Sequence, residues 1–244
     1  MRVLTMNVQH DAGDPRRTGL INAELRRTAP DLVTLQEVCH PGDQLAELTA
    51  GTGLVHTTQQ HELIGPSGFG HGTALATRWP HRILEVSEHR GDPHWWTVVA
   101  AVEIPDRGDQ LFIVPTTPWK LEHEDERLRQ AHDLTALDAR HQAILPTIVA
   151  GDFNAAPDSP TMSYLSRYYD DAWTAAGDGP GDTWTVDNPV AALEITKLLG
   201  DPTHHRRIDY ILTLARITSA QLIGAHPING TWLSDHYGVL ADLT

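Results

Sequence analysis

Short apolar runs, each closed by polar residues, recur along this chain: Val3–Met6, Leu32–Leu35, Thr73–Ala76, Thr97–Val102, Leu111–Val114, Thr147–Ala150, Ile208–Leu212 and Gly238–Ala241. Their length and the turn residues that bound them read as buried strands. Helical patterns lie between some of them. Thr18–Ala29 sets Ile21, Leu25 and Ala29 four apart on one face, Pro41–Ala50 and Glu124–Leu145 look similar, and Ser159-Pro160 offers a capping serine with proline in the first turn. In the middle third the strands follow one another without helices, which departs from strict alternation and favours two packed sheets with helices outside. The expected class is therefore α/β. Gln59–Gly72 and Gly177–His205 read as irregular, and the second, which carries Trp184, is long enough to expect a functional loop.

A length of 244 residues suits one large domain, and no repeat or linker divides it, so residues 1–244 are expected to form a single domain. The formal net charge of -14 argues against a general nucleic-acid coating protein, which needs Lys and Arg to neutralise phosphates. It leaves open an enzyme acting on a phosphoester at one local site. The single cysteine, Cys39, allows no intramolecular disulfide. The start, MRVLTMNVQH, enters a strand without a secretory signal pattern, and no apolar run is long enough to span a bilayer, so a cytoplasmic location is the expectation.

Several strand ends carry polar groups that a core strand does not need: Asn7 in MNVQ, Glu37 in LQEV, Asp152 and Asn154 in GDFN, Asp209 in RIDY, and Asp235 with His236 in SDHY. Each alone reads more simply as a cap or a turn. Together, carboxylates, amides and one histidine are what metal-assisted phosphoryl chemistry requires. Carboxylates hold a hard cation, and a further carboxylate activates water. A histidine steered by another acid faces the developing charge.

The ordered set TMNVQ, LQEV, GDFNAAP, RIDYIL and SDHYGVLADL, running from Thr5 to Leu243, resembles the endonuclease/exonuclease/phosphatase (DNase I-like) family. The resemblance implies a four-layer αββα sandwich of two packed mixed β-sheets with the active site at one edge. It implies Mg²⁺ or Mn²⁺ as cofactor, with Glu37 as principal metal ligand and Asn7 and Asp235 beside the metal. It implies that Asp152 positions or activates water, Asn154 holds the phosphate or that water, His236 hydrogen-bonds the phosphoryl oxygen and Asp209 orients His236. Strand alternation around Phe153 would aim Asp152 and Asn154 to one side and Phe153 at the core.

The chain departs from the family in places. Pro118, in VPTTPWK, stands where many members have the histidine of a Thr-His-Leu motif, although the following Arg127-Leu128-Arg129-Gln130 keeps an Arg-x-x-Gln spacing. Lys120 or His123 could substitute, a leaving group of low pKa could need no help, or the chemistry could have drifted. Gln9 stands where some nucleases have an acid. Arg78 reads equally as structural or phosphate-facing. His94-Trp95-Trp96 reads as a strand start, by core packing or as an aromatic substrate platform, and His204-His205-Arg206-Arg207 as a solvated turn or a second phosphate contact. The expected activity is divalent-metal-dependent hydrolysis of a phosphodiester in a small or lipid-like, amphiphilic substrate, with nucleic acid not favoured. The alternatives are a metal-dependent nuclease and a repurposed scaffold with non-phosphoryl chemistry.

Overall fold

The structure is a computed structural model that describes residues 1–66, 68–88 and 95–244. In chain order its elements are β1 (Arg2–Asn7), α1 (Arg17–Thr28), β2 (Leu32–Cys39), α2 (Gln44–Thr49), β3 (His56–Gln59), α3 (Gln60–Ile64), β4 (His71–Thr77), β5 (His81–Glu88), β6 (Trp96–Ile104) and β7 (Gly108–Thr116). A short 3₁₀ turn (Leu121–His123) leads into α4 (Glu124–His141), followed by β8 (Leu145–Asp152), α5 (Pro160–Leu165), β9 (Asp170–Asp171), α6 (Ala172–Ala176), β10 (Trp184–Thr185) and α7 (Pro189–Leu199). The chain ends with β11 (His205–Arg206), β12 (Asp209–Thr213), β13 (Ile217–Ile223) and β14 (Gly238–Leu243).

One sheet has the order β13-β14-β1-β2-β4-β3 and the other β5-β6-β7-β8-β12-β9; β10 and β11 form a separate small ladder. Both large sheets are mixed: β1 with β2 and β7 with β8 run parallel, each pair joined through a helix, and their other pairings are antiparallel. Alternation along the strands builds the layers. Val3, Leu32, Leu75 and Val239 of the first sheet meet Val98, Phe112, Val114 and Ile148 of the second in one shared core. Their neighbours Leu4, Val33, Ala74 and Leu240 face Ile21 and Leu25 of α1, while Val99, Ile113 and Val149 face Ala131, Leu134 and Leu137 of α4. This is the expected sandwich of two packed sheets between helices. No helix among the described residues is long and apolar enough to cross a membrane.

The topology also gathers the polar strand ends. Asn7 closes β1 and Asp152 closes β8; Asp209 opens the antiparallel β12 directly opposite Asp152, and Asp235 and His236 immediately precede β14.

Several boundaries differ from the sequence reading. Gly177–His205 is not irregular throughout: it holds β10 and α7, which starts at Asn188-Pro189 with the Asn188 side chain accepting from the Val190 amide. Gln59–Gly72 includes α3, opened by a capping box between Gln59 and Glu62. The helix predicted over Pro41–Ala50 shortens to α2, and the one over Glu124–Leu145 stops at His141, where Leu145 begins β8. The strands that apolar runs did not reveal, β3, β5, β9 and β13, form the sheet edges, where only part of each side chain is covered.

His81, at the start of β5, ties that edge to the other sheet. Its Nε2 is 2.9 Å from Thr58 Oγ1 and its Nδ1 2.7 Å from Thr77 Oγ1. Burial, then the charge of His56, pushes its pKa down to about 4. Because the folded pKa lies below the unfolded value, this contribution is intact above about pH 6.5 and is lost as pH falls toward 4. Denaturant midpoints at pH 7 and pH 5 are expected to fall less in His81→Asn than in the parent. Equal falls would show that His81 titrates alike in the folded and the unfolded chain.

Candidate functional site

Asp152 is buried at the end of β8, and both its oxygens are engaged: Oδ1 accepts from the Asn154 amide at 2.9 Å and Oδ2 from Asn7 Nδ2 at 3.4 Å. Burial, and next the charge of Asp209, push its carboxyl up to about 7. Phe153 packs in the core edge-on against Tyr210, as alternation predicts. Asn154, however, lies beyond the strand. It returns to the cavity through a left-handed backbone (φ 50), a conformation asparagine tolerates, and its Nδ2 lies 3.4 Å from Thr117 Oγ1.

Asp209 and His236 form a buried pair, His236 Nδ1 lying 2.9 Å from Asp209 Oδ2. Thr183 Oγ1 fixes the start of β12 by accepting from the Ile208 and Asp209 amides. Burial disfavours charge on His236, but the facing Asp209 carboxylate outweighs it, helped by Asp152 and Asp235, and holds the imidazole well above its ordinary range. With Nδ1 committed to Asp209, Nε2 is the ring atom left for a ligand. Asp209 Oδ1 is buried without a hydrogen-bond partner among the described residues. One ligand-capable atom each from Asp152, Asp209 and His236 lies within 4.8 Å of the others.

Glu37 lies in an irregularity of the β2–β4 ladder between Leu35 and Val38, with a left-handed backbone (φ 60) rare for glutamate. The bulge sends its side chain into the cavity that Asn7, Asp152, Asp235 and His236 also line. Burial raises the Asp235 carboxyl and Glu37 adds to this, against the opposing charge of His236. Asn7, expected beside the metal, is turned so that its amide nitrogen faces Glu37 Oε1 (3.1 Å) and Asp152, while its oxygen accepts from the Gln9 amide at 2.9 Å. In this orientation its nitrogen donates to both carboxylates, and its oxygen already accepts one hydrogen bond. Gln9 is likewise engaged, its amide oxygen accepting from Arg17 at 3.0 Å.

Sequence reasoning missed Glu194. It projects from α7 into the same cavity, and burial, then Asp235 and Glu37, raise its carboxyl. The signal was present in Asn188-Pro189 and the apolar spacing that follows, within a segment taken as a loop. Glu37, Asp235 and Glu194 line one cavity and bring oxygen donors and negative charge to it, the ligand chemistry of a hard divalent cation. The nearby Arg17 does not neutralise it by contact: its guanidinium donates to the carbonyls of Val8, Ala12 and Leu233.

Pro118 faces a loop held from below. Arg127 is buried and donates to the carbonyls of Pro118 (2.9 Å), Lys120 (2.7 Å) and Leu121 (3.1 Å), while Gln130 donates to Thr116 O at 2.9 Å. The surviving Arg-x-x-Gln spacing is thus a brace for this loop, which brings Lys120 and His123 to the same cavity as Asp152 and Asn154. Arg78 is structural: it pairs with Asp31 at 2.7 Å at the opposite end of β2. The basic run divides, Arg206 lining the cavity and donating to Asn154 O at 3.1 Å, Arg207 buried against Asp171. Trp96 is a core residue and Trp95 lines the cavity, whereas His94 lies outside the described residues.

The family model described as Endonuclease/Exonuclease/phosphatase family matches residues 4–236. No curated protein matches the sequence. Among solved structures, D. rerio TDP2 complexed with single strand DNA product superposes with a TM-score of 0.75 at 17% identity, covering 99% of this chain and 97% of that one. An endonuclease/exonuclease/phosphatase from Bacteroides vulgatus gives 0.73 at 19% identity, covering 100% and 98%. One from Beutenbergia cavernae DSM 12333 gives 0.67 at 22% identity, covering 100% and 71%. The strand-end motifs, the two-sheet sandwich and the near-complete match agree: this chain belongs to the endonuclease/exonuclease/phosphatase family, enzymes of the divalent-metal-dependent phosphoesterase and nuclease class.

Proposed function

We propose that the protein hydrolyses a phosphodiester in a small or amphiphilic substrate with the help of Mg²⁺ or Mn²⁺. The observation that carries the reading is the buried Asp209–His236 pair facing Asp152 in the cavity that also receives Glu37. Glu37 and Asp235 are the residues that would hold the cation, with Glu194 close by. When bound, the cation polarises the phosphoryl oxygen and stabilises developing charge. The trio Asp152, Asp209 and His236 is less suited to hold it, because an imidazole that Asp209 keeps protonated has no lone pair to offer a cation.

Asp152, whose carboxyl is poised near neutrality, takes the proton of the attacking water. Asn7 orients the Asp152 and Glu37 oxygens by donating to both. Asn154 holds the phosphate or the water. His236 Nε2 donates to a non-bridging phosphoryl oxygen, and Asp209 orients the ring and favours its protonated form. Lys120 stands on the Pro118 side, able to meet charge on the leaving oxygen. The chain is read as one catalytic domain, 1–244.

A nuclease remains a second reading, and the acidic net charge no longer counts strongly against it, since a structural neighbour is a complex with single strand DNA product. Arg206 and Lys120 in the cavity also favour a local phosphate contact over a neutral ligand.

The metal requirement is tested with bis-p-nitrophenyl phosphate at rising Mg²⁺. Glu37→Gln is expected to raise the half-saturating Mg²⁺ concentration by about tenfold or more, the effect of removing one charged ligand. An unchanged metal dependence would remove Glu37 from the metal site, and metal-independent turnover would overturn the reading.

A further inference from the structure

Most exposed large apolar side chains of this protein are scattered, as is ordinary for a soluble surface. Phe69, 61% exposed, and Trp119, 54% exposed, are not: both stand on the wall of one cavity of about 430 Å³. Trp95 and His123 complete this wall, their rings edge-on with centroids 5.0 Å apart, and His71 lies 5.9 Å from Phe69. The same cavity is also lined by Asn7, Glu37, Asp152 and Asn154, so the aromatic side chains share one space with the reaction centre. Lys120 lines it, with its Nζ 5.9 Å over the Trp119 ring, and Arg206 lines the adjoining space that Phe69, Trp119 and Lys120 also border.

These observations are hard to explain by folding. Neither Phe69 nor Trp119 belongs to a buried cluster, and the loop carrying Trp119 is already held by Arg127. Exposed aromatic rings beside a polar centre are what a site uses to hold a flat ring while its phosphate is positioned. Two cations beside several rings, one of them tied to the Asn154 carbonyl, fit a ligand with little charge beyond the reacting phosphate, and an extended polyanion would ask for more.

Resting on the phosphodiesterase reading, we infer that the cleft walled by Phe69, Trp95 and Trp119 is a subsite for an aromatic ring carried by the substrate next to its scissile phosphate. The ring is that of an aryl ester or a nucleobase. Trp119 and Trp95 are the specificity-determining residues and Lys120 steers the phosphate toward Asn7 and Asp152.

Calorimetric binding to the full chain in Mg²⁺ tests this without turnover. Phenylphosphonate is compared with methylphosphonate and hexylphosphonate, and thymidine 5′-phosphate with deoxyribose 5-phosphate. Stacking on one aromatic wall predicts that phenylphosphonate binds about tenfold tighter than methylphosphonate and also tighter than hexylphosphonate. In Trp119→Ala, an exposed position that the fold tolerates, and separately in Trp95→Ala, the phenyl-to-methyl ratio is expected to approach one. A comparable gain for thymidine 5′-phosphate over deoxyribose 5-phosphate, lost in the same variants, identifies a nucleobase as the ring; a gain for phenyl alone identifies an aryl ester. Equal binding of the phenyl and methyl compounds, a hexyl chain binding as well as the ring, or a ratio untouched in both variants would overturn the subsite. Failure of catalysis with the ring preference intact would instead count against the phosphodiesterase reading and leave the cleft standing.

Discussion

Asp152→Asn lowers kcat on a phosphodiester by about a thousandfold, within the range general-base catalysis supplies, without lowering the melting temperature. The carboxylate is fixed by the Asn154 amide and Asn7, and burial beside Asp209 brings it to about 7, where it is basic enough to take a proton and still ionised in part at neutral pH. Asparagine keeps the shape and one acceptor oxygen but cannot take the proton. The same substitution removes a buried acid that faces Asp209 across the β8–β12 ladder, so the fold loses a repulsion. Steady-state kinetics and thermal melts on one preparation check both halves. A variant within tenfold of the parent would place Asp152 outside the proton path, and one that melts several degrees lower would contradict the repulsion between Asp152 and Asp209.

His236→Ala is expected to reduce kcat by about a thousandfold, the upper range for losing one donor to a developing oxyanion. Asp209→Asn should reduce it by about a hundredfold, because the ring remains but its orientation and charge are no longer fixed. Since Asp209 acts through His236 at 2.9 Å, the double variant should be no slower than His236→Ala alone. Independent, multiplying losses would mean that Asp209 meets the substrate by another route, for which its unpartnered Oδ1 would be the atom to consider.

Much of this site was legible because strand ends announce themselves. Thr147–Ala150 followed by GDFN could only leave the sheet at Asp152, and RIDY and SDHY do the same from antiparallel neighbours; the structure brings these ends to one edge. What was hidden depends on local backbone and on distant packing. Glu37 stood out as a polar strand end, but its bulge and positive φ arise from the pairing with β4 and could not be read from LQEV. The return of Asn154 to the cavity needs a left-handed residue beyond the strand, which alternation does not supply. The orientation of Asn7 follows from the Gln9 amide turning back on it. Glu194 was invisible because a segment opening with Gly, Pro and Asp looked like a loop, though Asn188-Pro189 starts a helix inside it. The missing histidine at Pro118 left three readings open, because the sequence does not show where the loop lies; Arg127 and Gln130 brace it, and Trp119 and Lys120 line the cavity.

The most direct test of the account is the turnover of bis-p-nitrophenyl phosphate by the parent and by His236→Ala, each with Mg²⁺, with Mn²⁺ and with EDTA. This substrate has a leaving group that needs little protonation, so Pro118 does not mask a working centre. The account predicts release of p-nitrophenol by the parent only with a divalent cation, and its near-complete loss in folded His236→Ala. Undiminished release by His236→Ala, or none by folded parent protein with either cation, would contradict it.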